Sequence, residues 1–131
     1  MKRAAREWVR KAEKDFRGAH RMATGKEPLY DLATFCCQQC SEKYLKALIE
    51  EAGGLIPKTH SLERLLQLIA PHHPVLQRHK RGLRFLTKFA VETRYPGENA
   101  TKRQTVAALM WVERIRHECR VLLGLKPTFR K

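Results

Sequence analysis

The sequence predicts an all-α fold: an up-and-down four-helix bundle with one additional short helix. Three observations predict it. Apolar residues recur at steps of three and four along nearly the whole chain, the signature of one buried helical face. The glycines and prolines that interrupt this rhythm fall into short breaks, which make neighbouring helices antiparallel. No segment alternates apolar and polar residues as a half-buried strand does, and no internal repeat or linker divides the chain.

The first helix runs from about Arg3 to Met22, with Trp8, Val9, Ala12, Phe16 and Ala19 on its inner face, and Gly25 and Pro28 end the pattern. The second runs from about Leu29 to Ala52. Here Ala33, Cys36, Cys37, Cys40, Tyr44, Ala47 and Leu48 share a face, while Gln38, Glu42 and Ile49 are expected to point away from it. Gly53-Gly54 closes this helix, since glycine suits the position just past a helix end. A short helix follows Pro57, capped by Thr59 or Ser61, with Leu62, Leu65, Leu66 and Ile69 as its stripe and Pro71-His72-His73-Pro74 as its stop. A fourth helix is expected over Val75 to Glu92, with Leu83, Leu86 and Ala90 inside and Lys80, Arg81, Arg84 and Lys88 outside. Pro96 disfavours helix at Tyr95 and ends it. The last helix opens on a capping box, Thr101-Lys102-Arg103-Gln104. It carries Ala108, Trp111, Val112, Ile115, Cys119 and Leu122 on one face and stops at Gly124. The organisation is therefore a single domain over residues 1–125 and a basic, mobile C-terminal tail over 126–131.

Composition narrows the function classes. Of 131 residues, 43% are hydrophobic, enough for a core of its own. With 27 Lys+Arg against 13 Asp+Glu, the net charge of +14 favours polyanionic partners: nucleic acid, nucleotide phosphate or an acidic protein. The N-terminus is charged throughout and lacks the apolar core of a signal peptide. No apolar run approaches the ~20 residues of a membrane span. The expectation is a cytoplasmic protein that engages no membrane.

Several residue groups can carry chemistry. Cys36, Cys37 and Cys40 include a CxxC, but a tetrahedral zinc site needs four ligands and no second pair exists. Their place on an apolar helix face suits small core residues better, so no metal and no cofactor are expected. His72 and His73 lack a nearby carboxylate or thiol to complete a metal site. His60 opens a helix, where a histidine either bonds backbone groups or serves as a weak catalytic candidate. The strongest compositional signal is the stretch from Arg64 to Val91, which holds no Asp or Glu but six Lys or Arg. Its one-signed helix face, with Lys80, Arg81, Arg84 and Lys88, suits phosphates or an acidic partner, because a merely solvated face mixes signs. Arg94, at the break before the last helix, can either bind phosphate bidentately or cap the carbonyls of the preceding helix.

Three segments in order resemble one family. Phe35-Cys36-Cys37-Gln38-Gln39-Cys40-Ser41-Glu42-Lys43-Tyr44-Leu45-Lys46-Ala47-Leu48 is similar to its aromatic, small, Gln-Gln, small, Glu-Lys, Leu-Lys-Ala helix. Pro57-Lys58-Thr59-His60-Ser61-Leu62 is similar to its Thr-His-Asp-Leu segment, with Ser61 replacing the acid. Thr93-Arg94-Tyr95-Pro96 is similar to its Arg-Tyr-Pro turn. The family is HEPN, named for higher eukaryotes and prokaryotes nucleotide-binding, and the resemblance spans roughly Trp8 to Leu123.

The resemblance implies a helical bundle that pairs as a homodimer, often beside a minimal nucleotidyltransferase in a toxin–antitoxin-like couple. Many such proteins are metal-independent RNases whose signature is an arginine and a histidine separated by four to six residues. The histidine moves protons and the arginine stabilises the charged phosphorane. Arg94 occupies the arginine position, yet the residue five along is Asn99 and no histidine follows before His117. The implied function is thus binding of nucleotide or RNA phosphates in a basic cleft lined by Arg94, Tyr95 and Asn99, with His60 and Lys43 as weaker contributors. Lys80, Arg81, Arg84 and Lys88 supply the field. Two alternatives stay open: an RNase in which His60 or a partner subunit's histidine replaces the missing one, and a module docking an acidic protein.

Overall fold

The computed structural model describes residues 1–127 and, for Arg94, the backbone but not the side chain. Among the described residues every regular element is helical. Helix α1 spans Arg3–Ala23, α2 Tyr30–Glu51, α3 Leu62–Ile69, α4 Lys80–Thr87 and α5 Lys102–Leu122.

Helix α1 is amphipathic in the simplest way: Ala5, Val9, Ala12, Phe16 and Ala19 are buried and most of the remaining positions are charged. Its alanines face α2, where Cys37 and Cys40 are fully buried. Small side chains on both partners let the two backbones approach closely, which accounts for cysteines where bulkier residues would fit a wider gap. Burial pushes the thiols of Cys37, Cys40 and Cys119 well above the ordinary value, so they are packing residues and not thiolates. Among the described residues no cluster of His, Cys, Asp or Glu has the arrangement of a metal site.

Cross-helix contacts set the directions. Lys2 meets Glu51 and Lys43 meets Asp15, so α1 and α2 are antiparallel. His79 meets Glu118 and Gly82 meets Trp111, so α4 is antiparallel to α5. Helix α1 packs on α2 and α5, whereas α4 packs on α3, α2 and α5. Helix α2 is therefore the central element. Leu45, Leu48, Leu65, Ile69, Leu76, Leu83, Leu86, Val112 and Ile115 fill the space around it.

Two expectations need correction. Gln38, Glu42 and Ile49 do not face solvent; all three are buried. A single stripe is the right reading for an outer helix, but α2 is covered on one side by α1 and on another by α3 and the region after α4, so a second, partly polar face goes inside. The fourth helix is also shorter than its apolar spacing suggests. A 3₁₀ turn over Pro74–His79 precedes α4, and two more, Lys88–Ala90 and Glu92–Arg94, follow it. Pro74 sits at the start of the first turn, where a missing N–H costs nothing. The inner positions of α4, Leu83 and Leu86, and Ala90 beyond it are buried as expected.

Helix ends follow the local chemistry. Ser61 is the cap of α3, its hydroxyl accepting from the Arg64 N–H at 3.2 Å. Thr101 and Gln104 complete the capping box of α5 in both directions, each at 3.0 Å. Gly53 and Gly124, with φ of 80° and 76°, take the left-handed conformation that ends α2 and α5. At the C-terminus, Arg116 Nη1 donates to the Pro127 carbonyl at 3.3 Å and Arg120 Nε donates to that of Lys126. The start of the expected mobile tail is thus held on α5, and the rest of it, 128–131, lies outside the described residues.

Candidate functional site

The polar face of α2 builds one cluster. Glu42 is almost wholly buried. Its carboxylate lies 2.8 Å from Lys46 Nζ, one helical turn on, and 3.0 Å from His60 Nδ1 on the loop before α3. Gln38 Nε2 donates both to Glu42 at 3.0 Å and to the His60 carbonyl at 3.1 Å, and Gln39 Nε2 donates to Gln38 Oε1 at 2.7 Å. Burial raises the Glu42 pKa, but the hydrogen bonds from Lys46, His60 and Gln38 and the Lys46 charge outweigh it, so the carboxyl titrates below its ordinary value. An ionised carboxylate only accepts, so His60 Nδ1 is the donor in this bond and, in a neutral ring, Nε2 is the free acceptor. The His60 side chain is 63% exposed.

The cations of α4 stand on the other side of this loop. The Leu62 N–H donates to Thr87 Oγ1 at 3.1 Å, tying the His60 loop to the end of α4 next to Lys88. Lys80, Arg81 and Arg84 are exposed and Lys88 half-buried. The face is less one-signed than its own sequence suggests. Arg84 pairs with Glu63 of α3 at 3.0 Å, and Arg78 pairs with Glu118 of α5. Both acids come from other helices, which no spacing within residues 64–91 reveals. Among the described residues, Lys80, Arg81 and Lys88 have no carboxylate within ion-pair distance.

Instead, aromatic rings order two of them. The Lys88 ammonium lies 4.7 Å from the Phe85 ring centroid and 5.3 Å from that of Phe89. The Arg81 guanidinium lies 5.8 Å from the Trp111 ring centroid, and Arg114 of α5 lies 5.5 Å from the same ring. Trp111 rests directly on Gly82: a Cβ there would fall 2.1 Å from the indole. Trp111, Arg114 and Glu42 are the residues that sequence reasoning missed as site components. The Glu42-Lys46 spacing of four and the Trp111-Arg114 spacing of three were available signals; the residues they meet on other helices were not.

The remaining expected site residues are dispersed. Lys43 is on the α1 side of α2, paired with Asp15 at 2.6 Å. Tyr95 is 62% exposed. Asn99 lines a recess of about 330 Å³ with Tyr30, Asp31 and Leu32 at the start of α2, where Asp31 Oδ1 accepts from the Ala100 N–H at 2.6 Å. Asn99 is thus beside a carboxylate, while Lys43 faces α1, away from the α4 cations. The Arg94 side chain lies outside the described residues, but its backbone closes the last 3₁₀ turn after α4. The neighbouring Thr93 hydroxyl is buried without a hydrogen-bond partner among the described residues.

The fold and its surface thus define an all-helical, strongly basic domain with an ordered imidazole–carboxylate pair. Residues 5–122 match the family described as HEPN domain, and the chain belongs to that family. No curated protein and no solved structure matches it. A nucleotide- or RNA-related role follows from family membership. No helix among the described residues is long and apolar enough to cross a membrane.

Proposed function

We propose that this HEPN-domain chain binds RNA or nucleotide phosphates on the outer face of α4 and the adjoining turn at Arg94. The observation that carries the reading is the imbalance on that face and the turns that flank it: Arg78 and Arg84 have carboxylate partners, whereas Lys80, Arg81 and Lys88 have none among the described residues. Unpaired cations held on a rigid helix attract phosphate without first breaking an ion pair. A net charge of +14 adds long-range attraction. Fluorescence anisotropy with a labelled RNA tests it. Affinity falls by about 0.7 logarithmic units per phosphate contact for each tenfold rise in salt on a single strand, and Lys80→Ala, Lys88→Ala and Arg94→Ala each lower the slope. Salt-insensitive binding, or none, sinks the reading.

A second reading, RNA cleavage, is favoured by one observation: Glu42 orients the exposed His60 through a 3.0 Å bond to Nδ1, so that Nε2 can accept a proton. In that reading His60 takes the role left empty by Asn99, and Arg94 stabilises the charged phosphorane. A cleavage assay in EDTA separates the two. Activity lost in both His60→Ala and Arg94→Ala supports the RNase, and no activity above background leaves the binding protein. Homodimer formation and pairing with a minimal nucleotidyltransferase complete the proposal, supported by the family alone. Sedimentation equilibrium and co-purification check them.

A further inference from the structure

We infer that the seam between α4 and α5 is a stacking track for single-stranded nucleic acid, in which Trp111 and Phe85 meet bases and Arg81, Arg114 and Lys88 meet phosphates. This rests on the phosphate-binding reading and narrows it from polyanions in general to unpaired strands.

Single-strand sites combine a cationic groove with aromatic side chains, because every base has a π-face and a flexible strand can turn its bases onto a protein. Residues 64–91 alone offer only the charge. The antiparallel packing of α5 on α4 brings Trp111 to Gly82, and the absent Cβ lets the indole lie flat against the helix backbone. Arg81 then stands on the α4 side of the ring and Arg114 on its own helix, each within 6 Å of the centroid. One turn beyond Arg81, Phe85 carries Lys88 over its ring. The result is a row of cations and rings along one edge of α4. Trp111 and Phe85 are only partly buried, so ring surface remains in reach.

The acids of the seam do not cancel this row. Glu118 is taken by Arg78 and by His79 at 3.2 Å, and Glu113 turns to His20 of α1 at 3.3 Å. Arg81 and Arg114 have no carboxylate partner among the described residues. Arg114 also lines an open groove of about 580 Å³ at this end of the seam, together with Met110, His117 and the two acids already paired, Glu113 and Glu118. A duplex exposes phosphates but keeps its bases stacked, so it can use the cations and not the rings.

The test uses the full chain in a Trp8→Phe background, in which Trp111 is the one remaining indole of the two in the sequence. The probes are a ten-nucleotide oligouridylate, a ten-base-pair RNA duplex and polyglutamate. The oligouridylate quenches Trp111 fluorescence and binds more tightly than the duplex. Phe85→Leu, which keeps apolar volume, weakens oligouridylate about 5- to 150-fold, the usual range for loss of one stacked base, and changes duplex affinity far less. Arg81→Lys keeps the charge but loses the planar fork, and it also weakens the single strand more than the duplex. Circular dichroism melts establish that each variant is folded. Equal binding of strand and duplex, with Phe85→Leu neutral in a folded protein, overturns the track while leaving the phosphate reading intact. Binding of polyglutamate alone, or of no probe, overturns both.

Discussion

Two pairs of arginines in this protein have opposite surroundings. Arg116 and Arg120, on the inner side of α5, are committed to the protein. Arg116 makes a bidentate bridge to Glu13 of α1 at 2.7 and 2.8 Å, Tyr44 Oη donates to the same carboxylate, and Arg120 donates to Tyr44 Oη at 3.0 Å. This network locks α1, α2 and α5 together. Arg81 and Arg114, on the α4 side, touch an indole ring and no carboxylate among the described residues. The same side chain is a bolt in one region and a docking point in the other. The difference lies in whether a neighbouring helix brings an acid to it.

That comparison can be broken most severely at Arg116. Arg116→Ala leaves Glu13 facing Tyr44 without its main partner, and removing one member of a buried pair costs about 3–5 kcal/mol. Urea unfolding measures it, and a loss under about 1 kcal/mol refutes the lock. Gly82→Ala comes next. Its methyl group collides with Trp111, and overpacking of this kind costs about 1–3 kcal/mol. It should also displace the indole and shift its emission maximum.

Acid sharpens the contrast further. Burial alone raises Glu13 and Glu42, but the hydrogen bonds and charges of Arg116, Tyr44 and Arg120, or of Lys46, His60 and Gln38, hold both below the ordinary 4.5. A depressed folded-state pKa contributes stability that is present above 4.5 and lost as pH falls through the lower folded value. Stability therefore declines below about pH 4.5 in the wild type, and Glu13→Gln flattens that decline; an unchanged slope counts against the network. The smallest effect belongs to the other arginine pair. Arg81→Ala changes stability by less than about 1 kcal/mol, the worth of an exposed cation–π contact, while weakening RNA binding. A large loss of stability there would show that Arg81 is structural.

Much of the fold was legible because helices declare themselves locally. The Val9, Ala12, Phe16, Ala19 spacing, the Thr101–Gln104 capping box and the glycine stops at 53 and 124 all act within one or two turns, and the structure has them where the sequence places them. The second face of α2 was not legible. Gln38, Glu42 and Ile49 read as pointing away from the core, yet all three are buried, Gln38 and Glu42 against the His60 loop. The site was less legible than the fold for the same reason. Arg84 reads as an open cation, and only the position of Glu63 on α3 pairs it; Trp111 reads as a core residue, and only its seat on Gly82 puts its ring beside Arg81.

By itself, then, the sequence determined that the chain is helical, basic and built on the HEPN pattern, since periodicity, capping, net charge and ordered motifs are properties of the chain in one dimension. Only the tertiary structure decided which cations are paired and which stay open. An ion pair or a stacked ring depends on distances of 3 to 6 Å between residues far apart in the chain, and those distances are set by how whole helices pack.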